Sequence, residues 1–116
     1  MEKIPVLFEA INRIGVVVKP RKPFIDWLNY LYEDKDEAMV SEDNNIYLIR
    51  EMDSNEEAME WLKDNFEPIF DNELLDWNTD ENTWPQNRTW QVFRQWFDVE
   101  ICSMLLDMED DVIEKD

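Results

Sequence analysis

Two hydrophobic periods alternate along the chain. Residues 14–18, IGVVV, form a β-branched run that stops at Lys19-Pro20, and residues 46–49, IYLI, follow the Asn44-Asn45 pair, so both read as strands. Between them Pro23 suits a first helical turn, and Phe24, Trp27, Leu28 and Leu31 recur at helical spacing, which predicts a helix with one apolar face. Ser54 followed by Glu57 is a capping-box signature. Ala58, Trp61, Leu62, Phe66, Ile69, Phe70, Leu74 and Trp77 then hold one helical phase. Pro68 interrupts the backbone ladder but not that phase, so a kink or short break is expected near Glu67. Thr83 and Gln86 repeat the capping box with Pro85 in the first turn, and Trp90, Phe93, Trp96 and Phe97 line the helix that should follow. Residues 99–106 read as a third strand whose consecutive apolar positions suit cover on both faces. Residues 33–44 and 78–83 are polar and read as loops.

The resulting order, β-α-β-α-α-β, predicts an α+β fold. Three strands cannot bury a face alone, so the expectation is a two-layer domain with a small three-stranded sheet covered by about three helices. If the first two strands are neighbours, the helix between them makes a right-handed parallel crossover; the third strand could run either way. The expected core is Val17, Trp27, Leu28, Leu48, Trp61, Leu62, Phe66, Phe70, Phe93, Trp96, Phe97, Ile101 and Leu105. Gly15, inside the first strand, marks a bulge or a close approach, or is a passive small residue. Residues 12–106 form the domain. An arm, residues 1–11, precedes it, and its Ile4, Val6, Leu7 and Phe8 call for cover by the body or by a second copy. A mostly acidic tail, residues 107–116, should fray.

Composition supports one folded unit. The length, 116 residues, is that of a single domain. A hydrophobic share of 44%, with six Trp and six Phe, argues against disorder despite the charge. That charge is −18, and it is uneven: residues 1–30 hold five basic and three acidic side chains, whereas residues 31–116 hold six and 26. Such a surface repels nucleic acid and anionic lipid and attracts basic proteins and cations. Cys102 is the only cysteine, set in ICSMLL, which reads as a buried thiol in a reducing compartment. Residues 1–12 lack a signal-peptide h-region, and no apolar run approaches the ~20 residues that span a bilayer. A cytoplasmic location is the expectation.

Four constellations could carry chemistry. Asp76-x-Asn78-x-Asp80 opens like a calcium loop, but Glu81 stands where a Gly is wanted and Asn87 where a bidentate Glu is wanted, so no metal is expected there. The segment ELLDWNTDENTWPQNR gathers Glu73, Asp76, Asp80 and Glu81 near Trp84 and Arg88. Carboxylates beside an aromatic ring could form an acid/base pair, with Arg88 orienting an anion; the plainer reading is a capped loop in which Arg88 pairs locally. Lys19, Arg21 and Lys22 precede a helix start, as in an anion site, but two prolines and no Gly-rich loop favour a solvated turn. Glu56, Glu60, Asp64 and Glu67, with Lys63 among them, fall on the outward side of the second helix. They make an acidic interaction face, or simply a solvated one.

The chain has no histidine, which removes the usual serine and cysteine triads, and it has no Gly-rich nucleotide loop and no Cys/His metal set. No cofactor is expected. The leading expectation is a non-catalytic interaction or regulatory module, an inhibitor or nucleic-acid mimic that engages a basic protein partner; a homodimer through the arm is the second partner expectation. The alternative is a small carboxylate-based hydrolase or ligand-binding protein using residues 73–88.

The pieces Lys19-Pro20, Pro23-Phe24-x-Asp26-Trp27-Leu28-Asn29, Trp84-Pro85 and Arg88 resemble a family of small acidic bacterial proteins of unknown function. The resemblance covers most of residues 13–106, leaving out the arm and the tail. It implies no activity and transfers no functional residues. In strand–helix layout and charge alone, the chain also resembles barstar, an acidic ribonuclease inhibitor.

Overall fold

The computed structural model describes residues 9–32 and 44–116. Residues 1–8 of the arm and 33–43 of the acidic loop lie outside them. Among the described residues the chain is α+β, with four helices and two small antiparallel sheets. In chain order these are β1 (Glu9–Ala10), β2 (Arg13–Pro20), α1 (Lys22–Leu31), β3 (Asn45–Arg50), α2 (Asn55–Asn65), α3 (Glu67–Leu75), a 3-10 turn at Glu81–Thr83, α4 (Trp90–Trp96), β4 (Phe97–Cys102) and β5 (Leu106–Asp107). No described helix is long and apolar enough to cross a membrane.

β2 is central, with β3 on one side and β4 on the other, both antiparallel to it. The expected parallel crossover between the first two strands is therefore wrong: they are neighbours, but antiparallel. A parallel sheet needs cover on both faces, whereas an antiparallel one tolerates an open face, and β3 alternates between the buried or half-buried positions Asn45, Tyr47 and Ile49 and the exposed Ile46, Leu48 and Arg50. The β2–β4 ladder continues as the β1–β5 ribbon, where Glu9 faces Asp107 and Ala10 faces Leu106. Between the pairs Gly15–Cys102 and Ala10–Leu106 the first strand advances five residues (15 to 10) and the last four (102 to 106), so one extra residue bulges near Arg13. Ribbon pairing thus takes in the end of the arm and the start of the tail.

Each helix has an identifiable start. Pro23 sits in the first turn of α1, as its fixed φ favours. Ser54 caps α2, its Oγ accepting from the Glu57 amide at 3.1 Å, while the Glu57 carboxylate accepts from the Asp53 amide at 3.0 Å. The break expected near Glu67 falls at Phe66, and Pro68 opens α3. The last helix departs from expectation. Thr83 does not cap it; its hydroxyl donates to the Asp80 carbonyl at 2.7 Å and closes the 3-10 turn. α4 begins at Trp90 instead, capped by Thr89, whose Oγ1 accepts from the Val92 amide at 3.2 Å. Phe97, expected to end the helix, turns extended and starts β4, so the last strand of the main sheet is 97–102 rather than 99–106.

The core lies where α1, α2, α3 and α4 meet the Ile14, Val16 and Val18 face of β2. Aromatic rings dominate it: Phe93 lies 5.5 Å from Phe70 and 5.4 Å from Phe97, and Phe24 lies 5.1 Å from Phe97. Offset and tilted rings at such spacing add about 0.5–1.5 kcal/mol per pair beyond burial. Trp27, Leu28, Leu62, Phe66, Phe70, Phe93 and Phe97 are buried as expected. Trp61, Trp96 and Ile101 are only partly buried at its margin. Val17 and Leu48 are not core residues, because the true inward phase of β2 is 14, 16 and 18, and Leu105 is not because β4 ends at Cys102. A run of adjacent β-branched residues does not say which parity faces in. Cys102, expected to be buried, is half-buried on the opposite face for the same reason.

Candidate functional site

The segment 73–88 is stitched together by its own hydrogen bonds. The Trp77 and Asn78 amides both donate to the Leu74 carbonyl as α3 ends. Asn78 Oδ1 then accepts from the Asp80 amide at 2.8 Å, and Asp80 Oδ1 from the Asn82 amide at 3.0 Å. These are side-chain turns of the kind Asn and Asp form with backbone two residues on. Buried Trp84 donates its indole N–H to the Asn78 carbonyl at 2.8 Å, and Trp27 reaches the Thr83 carbonyl at 2.8 Å from α1. Arg88 donates to the Pro85 carbonyl at 2.8 Å, pairs with Asp71 at 3.4 Å and lies 5.5 Å from the centre of the Trp84 ring.

The six candidates of this segment therefore divide. Trp84 and Arg88 come together. Asp76, Asp80 and Glu81 are exposed, and Asp80 serves the turn. Glu73 points elsewhere. Among the described residues no group of three acids or cysteines is placed to hold a metal ion. The three cations around the start of α1 are each matched by a carboxylate: Lys19 with Glu100 at 3.2 Å, Arg21 with Asp98 at 3.3 Å and Lys22 with Asp26 at 3.1 Å. None is aimed at an anion site.

Glu73 is the one charged residue buried among the described residues, at 4% exposure. Its Oε2 accepts from the Tyr47 hydroxyl and, at 2.6 Å, from the Asn45 amide, and Asn72 donates to the Tyr47 oxygen at 2.9 Å. Burial pushes the Glu73 carboxyl above the usual carboxylate range; the bonds from Tyr47 and Asn45 oppose that shift, and the charge of Asp76 adds to it. Burial likewise pushes the Tyr47 hydroxyl above its ordinary value, which keeps it a donor. Glu73 was a candidate from the sequence, but its partners were not. Asn45 and Tyr47 are two apart on a strand, hence on one face, and that polar pair beside Ile49 was the available signal.

The acidic residues Glu56, Glu60, Asp64 and Glu67 are all exposed. Glu60 and Asp64 join Glu57 on one stripe of α2, and this stripe faces the chain leaving β3. Together with Glu51 and Asp53 they line a cleft of about 430 Å³, with Arg50 at its rim and Met52 and Trp61 among its walls. Glu67 lies apart, in a smaller cleft of about 240 Å³ with Phe70, Asp71, Gln86 and Arg88. No protein-family model, curated protein or solved structure matches the chain. Function must be argued from these surfaces. Glu51, Asp53 and Glu57 of the larger cleft were not among the sequence candidates, because only the turn between β3 and α2 brings them beside Glu60 and Asp64.

Proposed function

We propose that the chain is a non-catalytic interaction or regulatory module that receives a basic protein surface in the cleft between the end of β3 and α2. The supporting observation is the makeup of that cleft: five carboxylates against one arginine, around a half-buried indole and a thioether. An arginine or lysine side chain entering it would meet ion-pairing partners at its head and Trp61 along its length, an arrangement that favours guanidinium groups. Glu56, Glu60 and Asp64 repeat every four residues, about 6 Å along the helix axis. A ladder of negative charge of that kind suits an inhibitor or nucleic-acid mimic. The reading takes the domain as two layers, with helices over one sheet face, and places it in the cytoplasm, where Cys102 stays a thiol.

The test is titration with an arginine-rich peptide, followed by tryptophan fluorescence. Binding is expected to weaken at least tenfold between about 0.05 and 0.3 M salt as screening shortens. The double substitution Glu60→Lys, Asp64→Lys should abolish it. An equal charge change in the tail, Glu109→Lys with Asp110→Lys, should leave most of it intact. If the tail variant loses as much as the cleft variant, net charge alone explains the binding and the cleft has no special role.

The rival reading, a carboxylate-based hydrolase or ligand-binding protein at residues 73–88, draws support from Glu73, the one acid among the described residues that is withdrawn from water. It expects heat on calorimetric titration with magnesium, calcium or manganese. No heat with any of them removes its metal-assisted form.

A further inference from the structure

The cleft between residues 50–53 and α2 has two walls of the same chemistry. On one, Glu60 and Asp64 stand four residues apart, about 6 Å along the axis of α2, with Trp61 beside them. On the other, Met52 packs against the core and leaves Glu51 and Asp53 exposed on either side of it. None of these four carboxylates forms an ion pair among the described residues. Glu57, at the start of the α2 wall, is already engaged by the Asp53 amide. Like charges gathered and left unanswered favour a cationic occupant. Volume and spacing limit its form. The cleft measures about 430 Å³. A single turn of α-helix, 10–12 Å across, displaces roughly 420–610 Å³, so a cationic helix of two or more turns has no room between the walls. In an extended segment, neighbouring side chains point to opposite sides, and residues two apart share one side at a repeat of about 6.4–6.8 Å. That repeat matches the rise from Glu60 to Asp64.

We infer that the occupant is an extended segment of a partner protein with two arginines two residues apart, Arg-x-Arg, laid along α2. The inference rests on the cleft being the binding surface and adds the form of what enters it. Each guanidinium is set between one carboxylate of α2 and the facing stretch 51–53. The residue between the two arginines points out to water, so its identity is free. Trp61 places arginine above lysine: a guanidinium plane stacks on an indole while its edge engages a carboxylate, whereas a compact, strongly hydrated ammonium gains less from the ring. Because the walls are exposed and the contacts few, the affinity of a short segment is low and falls with salt.

Calorimetric titration of the full chain at about 0.05 M salt with four end-capped peptides in one Gly-Ser background varies spacing at constant charge: Arg-x-Arg, Arg-Arg, Arg-x-x-x-Arg and Lys-x-Lys. Arg-x-Arg should bind at least about threefold more tightly than each of the others, the scale of one exposed ion pair. Glu60→Gln and, separately, Asp64→Asn should each erase that advantage, so that Arg-x-Arg falls to the level of Arg-Arg. Both positions are exposed on α2, and an unchanged far-ultraviolet circular dichroism spectrum will show that each variant is folded. Equal affinity for the three arginine spacings overturns the inference and leaves the cleft reading standing, since charge alone then explains the binding. Tightest binding of Arg-x-x-x-Arg overturns it too and puts a helix against α2. Lys-x-Lys binding as tightly as Arg-x-Arg overturns the choice of arginine. Binding of none of the four also overturns it; the arginine-rich peptide of the preceding test then decides whether the cleft reading falls as well.

Discussion

The Tyr47 hydroxyl donates to the Glu73 carboxylate, and that contact joins the outer strand of the main sheet to the third helix. The carboxylate is held from water but not left bare, since Asn45 supplies a second donor and Asn72 braces the tyrosine. Removing one partner from such a cluster costs more than the bond itself is worth, because the other partner stays buried and unpaired. Tyr47→Phe should therefore destabilise the fold by about 1–3 kcal/mol. Urea denaturation at pH 7 measures it, and a loss under about 0.5 kcal/mol would mean that water replaces the hydroxyl without penalty.

Glu73 also makes stability depend on pH, and the sign follows from its shift. Its folded value is raised above 4.5, so the folded chain holds this proton more tightly than the unfolded one does. The stability so gained is complete below the unfolded value and is lost as pH rises through the folded value. Glu73→Gln keeps an acceptor for Tyr47 and Asn45 but carries no charge. Relative to the parent chain, the variant should gain stability between pH 4.5 and pH 8, the lower limit being the ordinary carboxylate value. Paired denaturation curves at the two pH values read the difference. A difference that does not change with pH would show that burial imposes no net cost on the ionised form.

Arg88 acts within the loop it closes. Its guanidinium holds the Pro85 carbonyl, lies over Trp84 and meets Asp71 across half-exposed ground. Ion pairs in such settings contribute about 0–1 kcal/mol, so most of the effect of Arg88→Ala should come from the carbonyl bond and the ring contact, about 1–2 kcal/mol together. Arg88→Lys should not restore it, since an ammonium lacks the planar fork that spans both contacts. Asp71→Asn should cost less than either. If Asp71→Asn costs as much as Arg88→Ala, the ion pair dominates and the loop is held from α3.

What could be read from the sequence depended on local chemistry. Ser54 with Glu57, Pro23 and Pro68 announce their helix starts because capping and proline act within four residues. Thr83 with Gln86 carries the same signature and fails: the Asp80 side chain and the buried Trp84 claim that backbone for a turn, and Thr89 takes over as cap. Strand existence was legible, but the parity of VVV was not, and this one ambiguity misplaced Val17 and Leu48 together, while Leu105 was lost because β4 ends at Cys102. Among site residues, the exposure of Glu60 and Asp64 followed from helical phase. The separation of Glu73 from Asp80 and Glu81 did not, because it is set by β3, nearly thirty residues earlier in the chain.

Gly15 offers a check on how the ribbon is attached to the sheet. It pairs regularly with Leu48 and Cys102, so it is not itself a bulge; what it allows is close cover by side chains. A Cβ at this position would lie 3.2 Å from Ile46 Cγ2 and 3.4 Å from Leu105 Cδ2. Both are ends of side chains on the open face, so an alanine needs shifts of only a few tenths of an ångström. A valine also brings two methyl groups into the place of Leu105, whose carbonyl accepts from the Ile11 amide at 3.1 Å. Gly15→Val should thus loosen the β1–β5 ribbon while leaving the helix-covered face of the sheet in place. Hydrogen exchange is the measurement: protection of the Ile11 amide should fall at least tenfold, with the Val16 and Val18 amides little changed. Equal loss at all three would show that the ribbon and the main sheet open as one unit, and that Gly15 serves the whole ladder rather than its extension.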